Sequence, residues 1–120
     1  MDSVVPDRDQ QLLTAMYAAF NARDIDGVLT SMTPDVRWPK AFEGGFVEGH
    51  DAVRDYWTRQ WAEIDPTVEP VGFAQQDDGR ISVTVAQTIR DREGSLLGEN
   101  TVQHVYDIRD GLVAGMEVRD

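Results

Sequence analysis

Residues Asn100–Arg119, NTVQHVYDIRDGLVAGMEVR, decide how this chain is read. Two runs of alternating side chains flank Asp110-Gly111, a dipeptide that favours a tight hairpin turn because both positions tolerate positive φ. Along the first run Val102, Tyr106 and Ile108 share a side with His104, which puts an imidazole in the middle of an apolar row. The wall of a pocket places its polar group in this way.

Working outward from that hairpin, the chain reads as strand after strand. Leu112 to Arg119 is the last and Leu96 to Arg109 precedes it. Arg80 to Asp91 is a long β-branched alternation, with Ile81, Val83, Val85, Gln87 and Ile89 on one face and Ser82, Thr84, Ala86 and Thr88 on the other. Val68 to Gln75 comes before that. Asp77-Asp78-Gly79 and Asp91-Arg-Glu-Gly94 supply the turns.

Ahead of the strands the period changes. Between Asp7 and Ala22, the residues Leu12, Leu13, Met16, Tyr17 and Phe20 recur at helical spacing. A second short helix follows, with Asp24 as its cap and Ile25, Val28, Leu29 and Met32 buried, ending at Thr33-Pro34. Asp35 to Pro39 reads as a brief strand carrying Val36 and Trp38. A glycine-containing loop spans 40 to 46, with Glu43-Gly-Gly45 at the expected mouth of the site. A third helix runs from 49 to Ile64, capped by Asp51 with His50 on the surface, and has Val53, Tyr56, Trp57, Gln60 and Trp61 on one face. Asp65-Pro66 stops it, and residues 1 to 6 form a loose lead-in.

At 120 residues there is material for one hydrophobic core and not two, so residues 1–120 are read as a single domain. The order of elements gives an α+β class: three N-terminal helices packed on a curved antiparallel sheet, a cone enclosing a pocket. A net charge of −11 repels phosphate backbones and anionic lipid, which argues against nucleic acid and membrane partners. The chain has no cysteine, no apolar run long enough to span a bilayer and no leader pattern, so the expected location is the cytoplasm.

Five stretches in succession resemble the nuclear transport factor 2-like superfamily, and within it the SnoaL-like and ketosteroid-isomerase-like branch. They are Met16 to Phe20, Arg23 to Leu29, Pro34 to Trp38, Val47 to Arg54 and His104 to Val113. That branch contains isomerases, cyclases, hydrolases and non-catalytic proteins, so the resemblance implies a fold more narrowly than an activity. In ketosteroid isomerases a tyrosine on the first helix and a protonated acid on the penultimate strand hold an enolate oxygen. Tyr17 and His104 fall at those positions. The general-base position falls near Lys40 and carries no carboxylate, so steroid isomerisation itself does not carry over. In SnoaL-like cyclases a histidine and an acid on the last strand form the working pair, which His104 with Glu117 or Asp120 could echo; Glu117 is the preferred candidate.

From the residues alone, the inward-facing set is Tyr17, Trp38, Trp57, Gln87, His104 and Tyr106. Two readings of it stand side by side. Gln87 and His104 could satisfy each other across neighbouring strands and need no ligand. Alternatively His104 acts as general acid or base, suited by its ordinary pKa of about 6.5, with Tyr17 or Gln87 fixing a substrate oxygen. Two histidines without spaced carboxylates argue against a metal site, and no phosphate-cradling loop is present, which leaves cofactor-independent chemistry. The expected partner is a small apolar molecule within the aromatic walls. The uncharged row Ser82, Thr84, Ala86, Thr88 predicts a homodimer.

Overall fold

The computed structural model describes residues 5–40 and 44–119. Helix α1 spans Asp7–Asn21 and α2 spans Ile25–Leu29. Strands β1 (Met32–Pro39) and β2 (Phe46–Glu48) follow, then α3 (His50–Glu63). Strands β3 (Ile64–Gln75), β4 (Ile81–Asp91), β5 (Leu96–Arg109) and β6 (Leu112–Arg119) complete the chain. They form one six-stranded sheet in the order β2-β1-β6-β5-β4-β3. Among the described residues, no helix is long and apolar enough to cross a membrane.

The turn at Asp110-Gly111 has φ of 55° and 79°, the double positive φ of a type I′ hairpin, and it closes β5 on β6. The sheet is mixed, which corrects the antiparallel expectation. β6 lies beside β1 and runs parallel to it, Met32 pairing with Val113 and Arg37 with Gly115. The cause is the route of the chain: β3 to β6 walk back from the far edge by hairpins, and the last of them closes on the first strand instead of on a sequence neighbour.

Two helix ends also move, and one cap changes. α2 ends at Leu29, and Met32, Thr33 and Pro34 belong to β1. Proline is tolerated there because β2 pairs with β1 only from Arg37 to Pro39, leaving the Pro34 nitrogen with no ladder to join. α3 ends at Glu63, so Ile64, Asp65 and Pro66 open β3, an edge strand that accommodates proline. Asp51 does not cap α3; Gly49 does, at φ 87°, with no side-chain bond. His50 is half-buried, its Nε2 donating to the Met32 carbonyl at 3.2 Å. The lead-in residues 1 to 4 and Glu43 of the loop lie outside the described residues.

Two side chains fix α1 against the sheet. Asn21 imitates a strand, donating to the Val68 carbonyl at 2.7 Å and accepting from the Val68 amide at 3.0 Å. Arg23 pairs with Asp65, donates to the Pro66 carbonyl at 2.7 Å and lies over Trp61 at 4.9 Å. With α1 held there, Leu13, Met16 and Tyr17 are buried against the sheet residues Val83, Val85 and Tyr106 in one core cluster. Trp57 of α3 enters the same cluster and meets Trp38 edge-to-face at 5.4 Å.

Candidate functional site

Tyr17 lies one helical turn beyond Leu13, on the stripe of α1 that faces the sheet. His104 and Tyr106, two residues apart on β5, point to the same face from below. The three meet. The Tyr17 hydroxyl is 2.8 Å from His104 Nδ1, and the Tyr106 hydroxyl donates to the Tyr17 hydroxyl at 2.6 Å. The Tyr17 and His104 rings stack with centroids 5.9 Å apart and planes 20° from parallel.

All three are buried, at 4%, 7% and 0% exposure for Tyr17, His104 and Tyr106, and burial sets their charge. Desolvation pushes the His104 imidazole down to about 4, so it is neutral at physiological pH. It pushes the Tyr17 phenol well up from its ordinary value, an effect that the bond from Tyr106 partly opposes. Burial raises Tyr106 likewise. The ordinary histidine pKa assumed from sequence therefore does not apply. The cluster consists of three neutral, mutually hydrogen-bonded groups.

Tyr17 and His104 open onto a cavity of about 90 Å³ between the helices and the sheet. Trp38 and Trp57 form part of its wall, and Phe20 packs edge-to-face on Trp57 at 5.3 Å. Gln87 lines the cavity too, but it does not meet His104. In register His104 stands opposite Val83 and Gln87 opposite Asn100, whose side-chain oxygen accepts from the Gln87 amide at 3.1 Å. The mutual Gln87–His104 bond is thus corrected: four ladder positions separate them. Tyr106 is not in the wall; it sits behind Tyr17 and reaches the site through its hydroxyl.

Glu117 is not brought to the cluster. It projects from the other face of the sheet, where Arg80 Nη1 donates to it at 2.5 Å and Arg119 at 2.7 Å. Asp120, the alternative acid, lies outside the described residues. Among the described residues lining the cavity there is no carboxylate or lysine, and the ionisable ones are histidine and tyrosine.

Two contributors were read from sequence only as members of the apolar face of α3. Gln60 and Tyr56, one turn apart, line the cavity, and Gln60 Nε2 donates to the Tyr56 hydroxyl at 2.9 Å. The signal was present: Gln60 is a polar residue set in an apolar stripe, the same anomaly that singled out His104 and Gln87.

No curated protein matches the chain. Among solved structures it is similar to TerC co-crystallised with polyporic acid, at 27% identity and a TM-score of 0.82, covering 95% of this chain and 92% of that one. It is also similar to an NTF2-like protein of unknown function from Burkholderia pseudomallei, at 26% identity and TM-score 0.81, covering 96% and 92%. Rv0760c from Mycobacterium tuberculosis, solved with estradiol-17beta-hemisuccinate, shares the fold at 18% identity and TM-score 0.79, covering 94% and 93%. The profile of the SnoaL-like domain matches residues 13–116, nearly the whole chain. The chain belongs to the SnoaL-like domain family, within the nuclear transport factor 2-like superfamily.

Proposed function

We propose that this chain binds a small, mostly apolar molecule by one oxygen and polarises that oxygen without a cofactor. The observation that carries the reading is the chain of hydrogen bonds from Tyr106 to Tyr17 to His104 at the edge of a mostly apolar cavity. If Tyr106 donates to Tyr17 and Tyr17 to Nδ1, the imidazole carries its proton on Nε2. Among the described residues nothing else pairs with Nε2. The site then presents a neutral N–H donor, which suits a carbonyl or enol oxygen. Negative charge developing on that oxygen would strengthen its hydrogen bond from the Nε2–H, which is how the site would serve an isomerase, cyclase or hydrolase type of reaction. TerC, of similar sequence and fold, was crystallised with an organic molecule, which supports the small-molecule part of the reading.

The lack of carboxylate and lysine among the described lining residues supports a second reading, binding without turnover, because none of those residues is a strong base. Both readings require the oxygen contact. Fluorescence titration with acetophenone and with ethylbenzene tests it. The ketone should bind more tightly to the native protein, and His104→Leu should remove the preference while remaining folded. Equal binding of the two compounds to the native protein refutes the reading.

We also propose a homodimer through the outer sheet face. There Ser82 and Thr84 donate to Gln103 at 3.0 and 3.1 Å, and the row continues uncharged through Ala86 and Thr88. Sedimentation showing a monomer at micromolar concentration would rule it out.

A further inference from the structure

Beyond the cavity, a groove of about 710 Å³ runs between the end of α3 and the far end of the β4–β5 hairpin, lined by Ile64, Ile89, Leu97 and Gly98. Tyr56 and Gln60 line both spaces, so the Gln60–Tyr56 hydrogen bond is the partition between them. The cavity alone, at about 90 Å³, is smaller than the ~150 Å³ void that accepts a benzene ring. A ligand with even one ring therefore has to extend beyond the cavity, and this partition is the side on which further apolar space lies.

The hairpin is built for such an extension. Ile89 pairs with Gly98 and Arg90 with Leu96, which leaves Leu97 as the extra residue of a β-bulge. The bulge turns Leu97 toward the groove, where it is 59% exposed. Charge is confined to Arg59 and Glu63 on the α3 side, and Arg59 donates to Asp55 one turn back at 3.2 Å.

We propose that cavity and groove form one continuous site for an elongated, mostly apolar molecule with a single oxygen-bearing end. The oxygen is held at the His104 Nε2–H that Tyr17 orients through Nδ1, and the body passes Gln60, whose side chain swings aside, to lie along Ile64, Ile89 and Leu97. This rests on the oxygen-holding reading above and adds the ligand's length and character to it. The occupant is a small molecule and not a second chain because the groove shares its Tyr56 and Gln60 wall with the buried cavity that holds the polar cluster, so whatever enters that cavity past this wall also fills the groove.

The test is calorimetric titration of acetophenone, para-butylacetophenone and para-octylacetophenone into the native protein and into Leu97→Lys. Leu97 is largely exposed, so the substitution leaves the fold intact, as a urea midpoint verifies. Native affinity is expected to rise about fourfold per fully buried methylene. Leu97→Lys is expected to lower octyl affinity at least tenfold while acetophenone binds as before. If acetophenone binds and chain length adds nothing, or adds equally in Leu97→Lys, the extended site is overturned and the oxygen-holding reading survives. If no member of the series binds, both fall. If Leu97→Lys instead converts a dimer to a monomer in sedimentation, the groove is an interface and the proposal is wrong.

Discussion

Glu117 and His104 occupy adjacent strands yet face opposite sides of the sheet, since the register partner of Glu117 is Val105 and that of His104 is Val118. The sheet itself separates them. Hydrogen bonds from Arg80 and then Arg119 hold the Glu117 carboxyl below its ordinary pKa, so it remains ionised and occupied with its own neighbours. Glu117→Gln should therefore leave ligand titration curves superimposable on those of the native protein. A loss of binding in that variant would mean that the last strand adopts a different register from the one described.

Tyr17→Phe should act on both stability and binding. The hydroxyl it removes is the middle of a buried chain, and its loss leaves the Tyr106 hydroxyl and His104 Nδ1 facing each other at 3.5 Å, at the limit of a hydrogen bond. Leaving such groups under-satisfied costs about 1–3 kcal/mol, read from urea unfolding. Ketone affinity should fall as well, whereas Tyr106→Phe, which keeps the Tyr17–His104 contact, should weaken binding less.

Stability should also depend on pH through His104. Its folded pKa of about 4 lies below the unfolded value of 6.5, so the unfolded chain binds the proton more readily. The full contribution is present above about pH 6.5, falls as pH drops through the interval from 6.5 to 4, and is lost below it. The size is on the order of 3 kcal/mol, from about 1.4 kcal/mol per pKa unit. Carboxylates titrate in part of that window too, so the quantity to measure is the difference from His104→Phe. Native and variant unfolding free energies should converge on acidification; parallel curves would show an imidazole that is not desolvated.

Much of this was legible in the sequence, for identifiable reasons. The last three strands were placed correctly because glycines at positive φ, Gly79, Gly94 and Gly111, punctuate clean alternation. Tyr17 and His104 stood out as polar groups in apolar rows, and that anomaly survives folding. Neighbour relations were not legible, because periodicity reports which face a side chain takes and not what lies across from it. Hence the parallel β1–β6 pair and the Gln87–Asn100 bond were missed. The Met32 position suits a helical stripe or a strand equally well, so the end of α2 slipped. For Glu117 the sequence did hold the answer: it lies between Met116 and Val118, both of which line the cavity, and alternation alone sends it outward. The depressed histidine pKa comes from burial by distant elements and could not be read locally.

The cap of α2 offers a test of local geometry that no ligand complicates. Asp24 accepts a hydrogen bond from the Gly27 amide at 3.0 Å, and a Cβ built at Gly27 would lie 2.4 Å from the Asp24 carboxylate. Alanine at 27 must therefore expel the capping side chain, at a cost of about 1 kcal/mol that offsets its helical advantage over glycine of roughly the same size. Gly27→Ala should be neutral or destabilising in the native background. In Asp24→Ala, where no cap remains to lose, the same substitution should stabilise by about 0.5–1 kcal/mol. A double-mutant cycle by urea unfolding reads the coupling as the difference between the two. Additive effects would mean that Asp24 does not cap the helix in solution, and with that the anchoring of α2 beside Arg23 would need another cause.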